Sequence, residues 1–233
     1  MAVEFFGTDS IFGSLTGWEP QNGSNPSESK SYANALGKDG DELRNKGYDG
    51  KTSFTNTYVS TLEEGNLTLP PVGDIIDGVH IDNVQVTYNQ TGFPTMTVTG
   101  HKHTDGKADS NTRKYRPSIT LPAVPLGIPS EIADAYSLSE TAECGMRSLT
   151  YTLSATHVDE LDGTGGHLAG QNHDGVETIA GELTGAASVG TTQGSDLVID
   201  SAWFLGTKGK NQTNTGATTT SFNLTKHIKK SAA

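Results

Sequence analysis

The residues best suited to chemistry in this chain are its histidines and the acids beside them. His101 and His103 stand two apart and are followed by Asp105, a spacing that sets two imidazoles on one face of a strand with a carboxylate nearby. His167, His173 and Asp174 form a second candidate set. No CxxC or HExxH spacing accompanies either set, and an HxH step at a strand end is common without a ligand. The pattern therefore predicts solvated or structural histidines, with no specific metal and no cofactor. Asp39-Gly40-Asp41 suggests a calcium loop, but Arg44 occupies the place where such a loop needs glycine for its sharp turn. The pairs Asp49-Gly50 and Asp174-Gly175 read as structural turns: Asp bonds its own backbone and Gly supplies a positive φ before the next strand. There is no GxSxG elbow and no GxxxxGKS loop, and Cys144 in ECGM fits no cysteine-enzyme signature and reads as a small buried hydrophobe. The expectation is a protein with no catalytic site, a structural or binding part rather than an enzyme.

The elements that would carry these residues are strands. Phe54, Tyr58 and Val59 mark one; Val79 and Ile81, then Val84, Val86 and Tyr88 with Asn83, Gln85 and Thr87 between them, mark another; Met96 and Val98 mark a third. In the second half Leu149, Tyr151, Leu153 and Ala155 alternate with Ser148, Thr150, Thr152 and Ser154, and further strands run over 176–183, 197–205 and 221–225. Such period-2 alternation describes half-buried strands of an antiparallel sheet. Helix signals are few, the best being Ser130 to Tyr136 with a capping serine and acids in its first turn. Pro117, Pro122, Pro125 and Pro129 exclude a central strand or helix from 117–130 and predict a connector there. Residues 16–38 are polar and weakly patterned, and predict a long arm that orders only against a neighbour.

Composition agrees. Apolar residues make up 33% and charged residues 18% of 233, a mixture suited to one-sided strands and many turns. Sixteen Lys and Arg against 27 Asp and Glu give a net charge of −11, which disfavours a nucleic-acid grip. A single cysteine excludes an intramolecular disulfide. The opening MAVEFFGTDSIF has no basic n-region and carries Glu4 in the apolar stretch, so no secretory signal is expected. The longest apolar run, LPAVPLGIP, is short and broken by proline, and predicts no membrane span.

The two halves echo one another. Gly40, Leu43, Asp49, Gly50, Phe54 and Tyr58 recur at one offset as Gly165, Leu168, Asp174, Gly175, Ile179 and Leu183. A second echo sets Asn89-Gln90-Thr91 and Met96, Val98, Thr99 and His101 against Asn211-Gln212-Thr213 and Phe222, Leu224, Thr225 and His227. Two copies of one small β domain are expected, over 1–116 and 131–233, joined by the 117–130 connector.

Each half, with its Ser-rich opening, Gly-Asp/Glu stretch, (Y/H)DG step, Pro-Gly segment as in LPPVGDIIDGVHIDNVQV and last strand ending in Thr-x-His/Lys, resembles the tail tube (major tail) proteins of tailed bacteriophages. The resemblance implies tandem β-sandwich or barrel-like domains with a flanking helix, stacked rings around a DNA-conducting channel, and residence in the virion tail after assembly in the host cytoplasm. Its partners would be copies of itself, as a trimeric ring of six domains or a hexamer, and other tail proteins, with DNA as non-specific cargo and no membrane. Asp82 and its echo Asp200 would be acidic residues facing the channel, where negative charge keeps DNA mobile. A head–tail connector, a capsid decoration protein and a carbohydrate- or receptor-binding β-sandwich remain alternatives, and a zinc hydrolase built on the histidine sets is a further one.

Overall fold

A computed structural model describes residues 11–21, 26–36, 38–39, 42–89, 92–107, 113–123, 145–184, 203–211 and 219–228. The described residues are all-β, with no helix among them. Ten strands follow one another: β1 (Trp18–Pro20), β2 (Ser27–Leu36), β3 (Glu42–Ser60), β4 (Ile75–Ile76), β5 (Val79–Asn89), β6 (Thr95–His103), β7 (Gly145–Leu161), β8 (His167–Thr184), β9 (Phe204–Asn211) and β10 (Thr219–His227). They form one antiparallel sheet in the order β1-β3-β6-β5-β7-β8-β10-β9, with β2 beside β1 on the same edge of β3 and β4 against β5.

Alternation makes one face of this sheet apolar. Tyr58, Val84, Val86, Tyr88, Met96, Val98, Leu149, Tyr151 and Leu153 are buried, while the intervening Thr and Asn positions stay partly exposed. Extended segments cover that face: Leu67, Val72, Tyr115, Ile119, Leu121 and Ala123 are all buried, and Val72 pairs with Tyr115 and Asn66 with Pro122. The proline-rich segment is thus, as far as Ala123, a lid on the core rather than a bare connector. Proline keeps it from extending a full ladder, so it is held by isolated backbone bonds, the Leu67 and Ala123 amides donating to Leu121 O and Gly65 O at 2.8 Å each, and by side chains. The Tyr88 hydroxyl donates to Pro122 O at 2.8 Å, and buried Glu177 accepts from the Ser118 amide at 2.6 Å, the Ser118 hydroxyl and the Tyr151 hydroxyl at 2.7 Å. Burial and the facing Glu177 carboxylate raise the Tyr151 pKa.

The halves share this sheet, because β5 pairs directly with β7 from Asn83↔Ser154 to Asn89↔Ser148. Their internal registers coincide. In β3 and β6, Lys51 faces His103, Phe54 faces Gly100 and Tyr58 faces Met96; in β8 and β10, Val176 faces His227, Ile179 faces Leu224 and Leu183 faces Thr220. Ser29↔Lys51 and Leu36↔Glu42 likewise correspond to Ser154↔Val176 and Leu161↔His167, and Val84↔Val98 corresponds to Lys208↔Phe222. The registers set β3 against β8 at the offset of the first sequence echo for its described residues. The second echo is two residues out of step, since His227 stands where His103 does, not where His101 does.

Two further expectations change. Residues 27–36 form a strand hydrogen-bonded to β3, not a loose arm; polar residues on both of its faces hid it, and all but one of its residues are exposed. Asp49-Gly50 and Asp174-Gly175 are not turns. Both lie inside long strands at bulges, where the pair β2/β3 shifts register between Ser29 and Ser31 and the pair β7/β8 between Ser154 and Thr156. The positive φ falls on the aspartates, 51° at Asp49 and 53° at Asp174, a conformation the short polar side chain tolerates. The helix expected at 130–136, Cys144 and Asp200 lie outside the described residues.

Gly175 packs so tightly that an added Cβ would come within 2.3 Å of the Tyr115 ring, whereas at Gly163 nothing lies within 4 Å. Gly175→Ala is expected to lower stability by about 1–3 kcal/mol, with Gly163→Ala within about 0.5 kcal/mol of the parent, both read from urea unfolding.

Candidate metal centre

Beyond Ser154, β7 leaves β5 and no longer pairs with it. The distal half of the β7–β8 hairpin instead reaches the ends of β3, β5 and β6. The Asp49 amide donates to Gly165 O at 3.2 Å, Lys107 Nζ to His167 O at 2.8 Å and the His167 amide to Asp105 Oδ2 at 3.0 Å. Asp162 shapes the tip, accepting from the Thr164 hydroxyl at 2.6 Å and the Thr164 and Gly166 amides.

Five imidazoles meet under this overhang. His80 comes from β5, His101 and His103 from β6, His157 from β7 and His167 from β8, and His80, His101, His103 and His167 are buried. His80 faces His101 across the β5–β6 ladder, with ring centroids 5.0 Å apart. His157 lies 4.4 Å from the His80 ring and 4.8 Å from that of His101, and His103 stacks on His167 at 3.5 Å.

Two carboxylates and an amide order the rings. Asp82, at the bulge between Ile81 and Asn83, accepts from His80 Nδ1 and His101 Nδ1, each at 2.9 Å. Burial raises its pKa, but the bonds from His101 and His80 outweigh this and hold it at about 2. Asn172 Nδ2 donates to His80 Nε2 at 3.0 Å and to Arg113 O at 3.1 Å, while its Oδ1 accepts from His157 Nδ1 at 2.8 Å. Asp159 Oδ1 lies 2.9 Å from His157 Nε2 and 3.4 Å from both His103 Nε2 and His167 Nδ1. Its Oδ2 is ion-paired with Lys51. Burial pushes the Asp159 pKa up, and the Lys51 and His157 interactions overcome that and lower it. The ligand atoms of His101, His103, His157 and Asp159 all lie within 4.8 Å of one another, as do those of His80, Asp82 and His101.

The sequence sets are redistributed. His101, His103 and His167 come together, but Asp105 serves the hairpin backbone, His173 bonds Thr156 O and Asp174 meets His227 at the surface. Asp82, expected on a channel wall, is tied to two histidines, and the register gives Gly206, not Asp200, as its counterpart. His157, Asp159 and Asn172 carried no sequence signal beyond the i, i+2 spacing of His157 and Asp159. No family model matches the chain, and no curated protein matches it.

Asp162 is held below the usual carboxylate range first by the Thr164 hydroxyl and then by the Gly166 and Thr164 amides. A carboxyl depressed on folding stabilises above its unfolded pKa, and that stabilisation is lost as pH falls through the folded value. Carboxyl NMR titration is expected to keep Asp162 ionised below the range of an unstructured aspartate, and Thr164→Val is expected to move its pKa upward.

Proposed function

We propose that the chain is a self-assembling structural subunit of the tail-tube type, built as two copies of one β unit and closing into a ring around a channel. The observation that carries this reading is the β5–β7 seam. One unit is β2-β3-β6-β5 and the other β7-β8-β10-β9, and the edge strand β5 of the first pairs with the edge strand β7 of the second. Their counterparts, β9 and β2, have one unpaired edge each among the described residues. An exposed edge strand either recruits another strand or must be protected. Repeating the internal seam between chains joins β9 of one copy to β2 of the next, and the sheet continues until it closes.

The same offsets supply the register. Val84↔Leu153 and Gln85↔Thr152 translate to Lys208 opposite Glu28 and Gly209 opposite Ser27 of the neighbour, an opposite-charge cross-strand pair. Tyr32 and Leu36 are 63% exposed on β2 and occupy the positions of His157 and Leu161 on β7. They gain cover if the β2–β3 hairpin crosses a neighbour as the β7–β8 hairpin crosses β3, β5 and β6. Three chains provide six units, about two dozen strands, and barrels of 16–18 strands already enclose water. The sheet face opposite the core offers Asn83, Gln85, Thr87, Thr97, Thr99, Thr150 and Thr152. Hydroxyls and amides on a chain of net charge −11 give DNA in such a lumen little to adhere to.

Negative-stain microscopy and sedimentation of the purified chain are expected to give rings or tubes. Glu28→Lys is expected to weaken assembly by placing like charges opposite one another, at about 0.2–1 kcal/mol per seam, and Lys208→Glu in the same chain to restore it. A monomer at every concentration and salt level, or assembly indifferent to both substitutions, rejects the reading; a strongly positive lumen rejects the DNA-conduit role alone.

A further inference from the structure

We infer that the overhang of the β7–β8 hairpin encloses a structural site for one divalent transition-metal ion of the zinc type, ligated by His101 Nε2, His103, His157 Nε2 and Asp159 Oδ1. Three imidazoles and one carboxylate form a borderline-soft donor set that suits zinc and not calcium or magnesium.

Ligand orientation is the strongest argument. His101 gives its Nδ1 proton to Asp82, which turns the Nε2 lone pair inward, and that Nε2 is buried with no hydrogen-bond partner. His157 gives its Nδ1 proton to Asn172 Oδ1, because Asn172 Nδ2 is committed to His80 and Arg113 O. In the neutral ring this leaves the His157 Nε2 lone pair facing the Asp159 Oδ1 oxygen at 2.9 Å. Two electron-rich atoms that close require a cation between them or a proton on the ring. Metal-bound histidines characteristically carry such a partner on the far nitrogen, and ligating carboxylates are themselves hydrogen-bonded. Asp159 meets this rule, with Oδ1 toward the imidazoles and Oδ2 toward Lys51.

Spacing is the second argument. Tetrahedral zinc with bonds of ~2.0–2.1 Å separates its ligand atoms by about 3.3 Å. Asp159 Oδ1 already stands 2.9 Å from His157 Nε2 and 3.4 Å from His103 Nε2, and the whole set falls within 4.8 Å. Closing on a metal needs movements of about an ångström. The four ligands come from β6 and β7, which do not pair with each other, so the ion would pin the overhanging hairpin to the sheet beneath it. All four positions are filled by protein, which makes the site structural and not catalytic.

The full chain, stripped with chelator and dialysed, is to be titrated with zinc chloride by calorimetry and with cobalt(II) in the visible, with magnesium and calcium as controls. One equivalent of zinc per chain, a raised thermal midpoint and the intense bands of tetrahedral cobalt are expected. His101→Gln and Asp159→Asn are expected to abolish the cobalt bands, and Asp82→Asn to weaken zinc binding by ~10–100-fold with stoichiometry unchanged. Should His101→Gln fail to fold in metal-free buffer, Asp82→Asn decides. No saturable uptake by the full chain overturns the proposal and leaves the cluster bridged by protons; uptake that none of the three substitutions alters overturns it too, since the ion then sits elsewhere.

Discussion

Backbone pairing across the β5–β7 seam is the constraint on which the rest of the structure depends. It merges the two halves into one sheet, fixes where the β7–β8 hairpin starts, and so determines what that hairpin overhangs. Each ladder bond contributes only about 1 kcal/mol net, but a strand edge left unsatisfied away from water costs more than that. The seam also consumes one edge of each unit and leaves β2 and β9 with unpaired edges among the described residues. In the proposed assembly, these edges would continue the sheet into a neighbour by the pairing that holds the chain together internally.

The aspartate bulges give the hairpins their reach. An unbroken strand as long as β8, His167–Thr184, would run straight along the sheet. An extra residue at positive φ bends the strand and increases its twist, and Asp174 does this where β7 leaves β5. Asp49 provides the same bend in β3. There the bulge is also a contact, since its amide receives the tip of the β7–β8 hairpin at Gly165.

The strands were readable in the sequence because a one-sided sheet writes its burial as alternation: Val84, Val86 and Tyr88 are buried where the pattern put them. β2 was not readable, since neither of its faces is buried within the chain and the hydrophobic pattern records only burial. The Asp-Gly steps read as turns with positive φ on the glycine, whereas the positive φ falls on Asp49 and Asp174 inside bulged strands; a turn and a bulge use the same dihedral, and local sequence does not distinguish them. The histidine cluster lay beyond reach for a different reason. His101 and His157 are brought together by the overhang alone, and nothing at either position signals a partner more than fifty residues away. HxH spacing gave half of the candidate ligand set, and topology gave the other half.

Coincident registers also show what differs between the units. Where the second unit's hairpin carries His157 and Asp159, the first carries Tyr32 and Asn34; where the first unit's sheet presents His80 and His101, the second has Phe204 and Thr225 at the equivalent positions. The polar cluster therefore belongs to the seam inside the chain, and at the proposed seam between chains Tyr32 and Phe204 take the places of His157 and His80, with Asn34 and Thr225 in those of Asp159 and His101. This division has a physical logic. An internal seam forms once, during folding, and tolerates the demanding geometry of buried imidazoles and carboxylates. A seam between chains must form by collision, and apolar burial, which is non-directional, accepts an approximate approach before the ladder zips into register. A chain with the His/Asp cluster at both seams would ask every assembly step to desolvate charged groups; in the proposed assembly that cost is confined to the one contact whose partners are covalently linked.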